Sequence, residues 1–219
     1  MKFVISLGGS VIVPQDVDVK FLSEFTKMIK ELGKKHQFSI VCGGGHTARM
    51  YQGAAMKLGV DEHNSHEVGT QATLLNAFLM AKVLGGEFVP GHPEETATKF
   101  GKKPVVSGGY KPGWTTDVDA AIIAKAVGAD ALINVTNVDY VYDSDPRTNP
   151  KAKKIENICW ADFMDLPVMK RTPGAHFVFD PEAAEICMKA KIRVCVLNNN
   201  VPNLKNCLED KKFIGTIIG

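Results

Sequence analysis

The sequence lacks several features that would each point directly to a function. None of its five cysteines (Cys42, Cys159, Cys187, Cys195 and Cys207) belongs to a Cys-x-x-Cys pair. That excludes the zinc-ribbon and thioredoxin-like patterns and leaves reduced core thiols as their reading. The six histidines (His36, His46, His63, His66, His92 and His176) contain no His-x-x-x-His spacing, so a zinc hydrolase is not expected. No stretch approaches the roughly 20 apolar residues of a membrane span. The opening Lys2-Phe-Val-Ile-Ser-Leu7 is too short an apolar run for a secretory signal, and the expectation is a cytoplasmic protein with no membrane partner. An excess of one charge is also missing. With 26 basic and 24 acidic residues the net charge is +2, and no basic stripe could neutralise successive phosphates, which argues against nucleic acid as a partner.

What remains is an ordinary globular composition, 219 residues of which 45% are hydrophobic, enough to bury one substantial core. No internal repeat, low-complexity tract or linker divides it, so a single domain over residues 1–219 is expected. Apolar runs alternate with helical periodicity along the chain. Phe3 to Leu7 and Phe38 to Cys42 read as strands, each stopped by glycines. Between them Phe21, Leu22, Phe25, Met28, Ile29 and Leu32 recur at helical spacing and end near Gly33. A second helix is predicted over 47–58 and a third over 68–84, with Leu74, Leu75, Phe78 and Leu79 packing inward. Further strands are expected over 87–90, 103–107, 131–138 and 192–197, helices over 119–127 and 203–210, and an edge strand at 216–218. Strands this apolar on both faces suit an α/β fold with a mainly parallel sheet covered by helices.

In such a sheet ligands bind beyond the carboxyl ends of the strands, where the glycine turns of this chain should gather. Gly8-Gly9-Ser10 follows the first strand; a tight turn and a phosphate contact both account for it. Gly43-Gly44-Gly45 stands between a strand and a helix, which puts free amides at a positive helix end. Arg49 adds a guanidinium fork suited to phosphate, or a solvated helix-face cation. Gly108-Gly-Tyr-Lys-Pro-Gly-Trp-Thr-Thr-Asp117 ends in Thr115, Thr116 and Asp117 at the cap of the following helix. An acid beside an anion site either caps the helix or organises a cation or Mg²⁺.

Five segments together resemble the archaeal type of uridylate kinase, in the amino acid kinase family, over essentially the full length. They are Ile5-Ser-Leu-Gly-Gly-Ser10, Val41-Cys-Gly-Gly-Gly-His-Thr-Ala-Arg49, Gly109-Tyr-Lys-Pro-Gly-Trp-Thr-Thr-Asp117, Thr136-Asn-Val-Asp-Tyr-Val-Tyr-Asp-Ser-Asp-Pro146 and Val178-Phe-Asp-Pro-Glu-Ala-Ala184. The resemblance implies a three-layer α/β/α sandwich and transfer of a phosphoryl group from ATP, accompanied by Mg²⁺, to UMP. It implies ATP contacts from Gly9, Ser10, Gly45 and Arg49, with Asn137, Tyr142 and Asp145 at the adenosine end. It implies UMP contacts from Gly44, Trp114, Thr115, Thr116 and Asp117, and catalytic roles for Asp117 and Asp180. The UMP part would fall mainly within about 1–133 and the ATP lobe within about 134–219. A homohexamer, with the third helix in subunit contacts, is likewise what the resemblance implies.

Three positions depart from that pattern. Many relatives carry a lysine at the position of Ser6, which leaves Lys2, Lys151, Lys153 or Arg49 as candidate sources of positive charge. His66 stands where an acid usually meets the nucleotide sugar, and Tyr140 where glycine is usual. Relatives with other acceptors, such as isopentenyl phosphate kinases and acetylglutamate kinases, share the glycine turns, and molybdenum storage proteins use the same fold without catalysis.

Overall fold

Strand β1 (Lys2–Leu7) shows how the chain builds its layers. Phe3, Ile5 and Leu7 point to one side of the sheet and join one apolar cluster, whereas Val4 joins a second cluster on the other side. Every residue from Phe3 to Leu7 is buried, as a central parallel strand requires. The computed structural model describes residues 1–146, 148–169 and 177–219; His176 lies outside them.

The chain continues through a short α1 (Gly9–Ile12), α2 (Val19–Leu32), β2 (Gln37–Cys42), α3 (Gly45–Lys57), α4 (Glu62–Leu84), β3 (Glu87–Phe88), α5 (Pro93–Thr98) and β4 (Val105–Ser107). It then forms α6 (Thr116–Val127), β5 (Ala131–Thr136), β6 (Val141–Tyr142), β7 (Lys154–Ile155), β8 (Asn157–Ile158), α7 (Trp160–Asp165) and a 3₁₀ turn at Pro167–Met169. The last elements are α8 (Pro181–Ala190), β9 (Arg193–Asn198), α9 (Val201–Leu208) and β10 (Thr216–Ile218). Among the described residues the central sheet runs β3-β4-β2-β1-β5-β9-β10-β8, and β6 pairs with β7 separately. The pairings from β3 through β9 are parallel; β10 runs antiparallel to β9. Residues of α1, α2, α4 and α9 pack on one face and of α6, α7 and α8 on the other, giving the α/β/α sandwich.

The amphipathic reading of α2 holds, its end at Leu32 falling as expected just before Gly33 and its start lying two residues before Phe21, with Asp18 accepting from Phe21 N as its cap. Two expectations are corrected. The strand at 216–218 is not at the edge, because the two-residue β8 pairs on its far side. In α4 the inward residues are Ala72, Thr73, Asn76, Ala77, Met80, Ala81 and Leu84. Leu75, Phe78 and Leu79 are 62%, 45% and 37% exposed, and Leu74 is half-buried. Small residues face inward because α3 and the sheet approach closely: a Cβ at Gly69 would stand 2.2 Å from the Gln52 amide. No helix among the described residues is long and apolar enough to cross a membrane.

Candidate active site

The parallel register brings the ends of β1 and β2 together, and the two glycine turns that follow them interlock. A Cβ on Gly9 would lie 2.0 Å from Gly45 N, and one on Gly43 would lie 2.4 Å from Gly9 N. Gly45 adds a φ of +61°, which disfavours a side chain for a second reason. The glycines are therefore demanded by backbone-to-backbone contact, whatever else the turns hold. The same contact sets the start of α1 and the start of α3 side by side. The first amides of a helix have no intrahelical acceptor, so Gly9, Ser10 and Gly45 offer donors to one small region.

Ser6, an inward residue of β1, lies on the face of the sheet that α6 covers. Its hydroxyl donates to Asp117 Oδ1 at 2.6 Å, and Asp180 N donates to Asp117 Oδ2 at 3.2 Å. Burial pushes the Asp117 carboxyl up to about 6; those two hydrogen bonds oppose the shift and the charge of Asp180 adds to it. Asp180 is itself the cap of α8, its Oδ1 accepting from Glu182 N at 2.8 Å. Beneath it, Asn134 of β5, paired in register with Ser6, donates to Val178 O at 2.7 Å and fixes the bend that leads to Asp180. The sequence offered no signal for Asn134, a lone polar residue in an apolar strand. The two carboxylates brought together here are hard oxygen donors in a poorly solvated place, and among the described residues no basic side chain is among the influences on Asp117. That donor set suits Mg²⁺ arriving with a nucleotide.

Thr115, Thr116 and Asp117 do not all sit at a helix cap. Thr115 is the cap residue without a side-chain capping bond, and Thr116 and Asp117 form the first turn of α6. Thr115 is exposed and Thr116 half-buried. Half-buried Trp114 has Lys111 Nζ over its ring at 4.0 Å, and His92 and Tyr110 stack edge-on 4.8 Å apart beside it. Asp119, missed by sequence reasoning, is almost fully buried and accepts from Tyr110 N at 3.2 Å. Burial pushes its carboxyl up to about 7, against the hydrogen bond and the charge of Lys111.

Asn137 follows β5 at the same end of the sheet, its Oδ1 3.4 Å from Thr136 Oγ1. Tyr142 lies in β6, paired with Lys154 of β7, and the Asp145 carbonyl accepts from Asn149 N at 2.8 Å. Asn198, at the end of β9, donates to Asp139 and ties this segment to the sheet. Arg49 is exposed four residues into α3, and Gly44 precedes that helix. His66 belongs to α4 rather than to a loop, with its Nδ1 3.4 Å from Gln52 Nε2. Lys2 cannot serve the site. It begins β1, about 13 Å of strand from Ser6, and its Nζ donates to Val127 O at 2.8 Å. A separate cleft of about 760 Å³ lies against α9 and β10, near Arg193 and Lys154. Its Arg193, Lys154 and Lys211 are already paired with Asp210, Glu156 and Glu209.

Residues 1–198 match the amino acid kinase family, and the chain belongs to that family. It is 35% identical over 221 residues to the uridylate kinase of Methanospirillum hungatei, covering 98% of this chain and 93% of that one. It is 38% identical over 207 residues to the uridylate kinase of Pyrococcus abyssi, covering 90% of each chain. The crystal structure of uridylate kinase from Archaeoglobus fulgidus superposes with a TM-score of 0.87 at 33% identity, covering all of both chains.

Proposed function

We propose that this chain transfers the γ-phosphoryl group of ATP to UMP, giving ADP and UDP. The observation that carries the reading is the end-to-end match to uridylate kinases, at 35% identity over 98% of the chain. The site's geometry agrees with the chemistry. Phosphoryl transfer through a loose transition state asks for positioning and charge stabilisation. The acceptor phosphate is already ionised near neutral pH, so no general base is needed.

In this reading Gly9, Ser10, Gly45 and Arg49 hold the ATP phosphates, and Asn137, Tyr142 and Asp145 hold its adenosine end. Gly44, Trp114, Thr115, Thr116 and Asp117 hold UMP. Acceptor contacts thus fall mainly within 1–133 and the adenosine end within 134–219 of one domain. Asp117 and Asp180 keep the reacting region polar and ordered: Ser6 fixes one oxygen of Asp117, and the start of α8 fixes Asp180. Mg²⁺ bound with ATP would supply charge neutralisation there, with Asp117 and Asp180 as its protein oxygens. Position 6 itself holds serine rather than lysine. Reduced thiols fit a cytoplasmic enzyme: all five cysteines are free.

Assays with Mg-ATP and UMP, CMP, dUMP, isopentenyl phosphate or N-acetylglutamate separate the alternatives. Turnover with UMP at least tenfold above the other acceptors is expected; turnover confined to isopentenyl phosphate or N-acetylglutamate would reassign the acceptor, and none would favour storage.

We also assign a homohexamer, supported by the apolar surface of α3 and α4: Met50, Tyr51, Leu75, Phe78, Leu79 and Val83 are all exposed in the single chain. Phe78→Glu puts a charge into that patch. Light scattering after size exclusion is expected to show smaller species than wild type with unchanged helical content, and an unchanged mass would remove α4 from the interface.

A further inference from the structure

Two polar side chains on the buried face of α4, Thr73 and Asn76, take no part in the chemistry described so far. Asn76 is 4% exposed, and its Nδ2 donates to Gly43 O at 2.8 Å and to Gly44 O at 3.3 Å. One turn earlier, Thr73 Oγ1 accepts from Gly109 N at 2.7 Å and donates to Thr70 O at 2.7 Å. Residues three apart share a helix face, so a single face of α4 reaches the loop after β2 and the loop after β4. The packing is as close as the hydrogen bonds suggest. A Cβ on Gly108 would stand 2.7 Å from Thr73 Oγ1 and 2.8 Å from Leu74 N, and one on Gly44 would stand 3.4 Å from Thr73 Cγ2.

Polar groups at such positions are costly unless satisfied, and alanine would serve the packing as Ala72 and Ala77 do beside them. Here the side chains satisfy backbone groups of two segments 65 and 66 residues apart in sequence, Gly44 and Gly43 on one side and Gly109 on the other, and among the described residues no backbone hydrogen bond joins the two loops. The loop after β4 is pinned again just beyond Gly109, where Tyr110 N donates to Asp119 of α6. Its path from Gly108 to Thr115 therefore starts from two fixed amides, one held by each helix.

We propose that Thr73 and Asn76 are positioning residues that brace the Gly43-Gly44 turn against the Gly108-Gly109 turn, and so set the width of the acceptor pocket. The inference rests on the reading of Gly44 and residues 114–117 as acceptor contacts. Thr73 bonds only the loop after β4, on the acceptor side, whereas Asn76 holds the turn that leads into Gly45; removing the Thr73 hydroxyl therefore acts on UMP more than on ATP.

Thr73→Val keeps the shape and removes the hydroxyl, leaving the Gly109 amide without its acceptor; Thr73→Ser keeps the hydroxyl. Three readouts are made on the full chain: amide hydrogen exchange of the 106–112 segment without nucleotide, the calorimetric Kd for UMP, and the KM values for UMP and ATP. For Thr73→Val, faster exchange and about a tenfold weaker Kd and higher KM for UMP are expected, the size of one buried amide left unpaired. Its KM for ATP should stay within about twofold, and Thr73→Ser should return UMP binding to within about threefold of wild type. Folded Thr73→Val with unchanged exchange and UMP affinity would overturn the brace, as would equal losses for both nucleotides. If Thr73→Val does not fold, Asn76→Ser tests the brace from the other turn by the Kd for UMP alone: about a tenfold weaker Kd is expected, and an unchanged one would overturn the brace. Faster exchange in a protein whose wild type binds no UMP would overturn the acceptor reading while leaving the contact between the loops established.

Discussion

Asp117→Asn is expected to lower kcat on the order of 10²–10³-fold, the usual loss when one preorganised electrostatic group is removed from a reaction centre. The same change should make the nucleotide-free protein more stable. Asparagine can accept from Asp180 N and donate to the Ser6 hydroxyl oxygen, so a neutral isostere keeps one hydrogen bond to each partner of Asp117, with the direction at Ser6 reversed. The wild-type carboxyl, pushed up to about 6 from an ordinary 3.8, binds more protons in the folded than in the unfolded state between those pH values. Wild-type stability therefore falls, relative to the variant, as pH rises from about 4 to about 6, and the deficit is complete above that. Thermal unfolding at pH 8 should show a gain of about 2 kcal/mol, or roughly 4–8 °C, that disappears near pH 4. A folded variant with wild-type kcat would remove Asp117 from the reaction; a gain that persisted at pH 4 would refute the electrostatic explanation.

Gly9→Ala should have the largest effect on folding. Its Cβ would fall 2.0 Å from Gly45 N and 2.7 Å from both Gly43 C and Gly44 N, all backbone atoms at the junction of two central strands. No rotamer change relieves such a contact, so the turns must separate at a cost above about 4 kcal/mol, beyond the usual range for overpacked cores because only backbone atoms can give way. Gly53→Ala is the control: it lies in α3 with nothing within 4 Å of the new Cβ, and should stabilise by about 0.5–1 kcal/mol through helix propensity. Urea unfolding of the two variants measures both. Comparable midpoints for Gly9→Ala and wild type would show that the turns are looser than their contacts imply.

These contrasts mark what a sequence can and cannot convey. Elements with a directional pattern were legible: α2 has one apolar stripe and one charged face, and its end before Gly33 agrees. The central parallel strands, the longer helices between them and the glycine turns at strand ends were legible for the same local reason, whereas α5, α7 and α8 were not expected. In α4, by contrast, large apolar residues run around the whole helix, so periodicity has no preferred direction. Leu75, Phe78 and Leu79 face outward, and small residues face α3 and the sheet. Strand β8, two residues long, carries too little pattern to be seen, which is why β10 was expected at the edge. Of the site, the segments that bear glycines or acids announced themselves. The supports did not: Asn134, Asp119, Thr73 and Asn76 act through contacts across 9 to 44 residues of chain, and single polar residues in apolar segments carry no local signature.

The most direct test of the account follows label from [γ-³²P]ATP in the presence of the purified chain, Mg²⁺ and UMP. Label appearing in UDP, dependent on UMP and lost with Asp117→Asn, is the predicted result. Label released only as inorganic phosphate, or left in ATP while UMP is bound, would contradict transfer to UMP as the activity of this site.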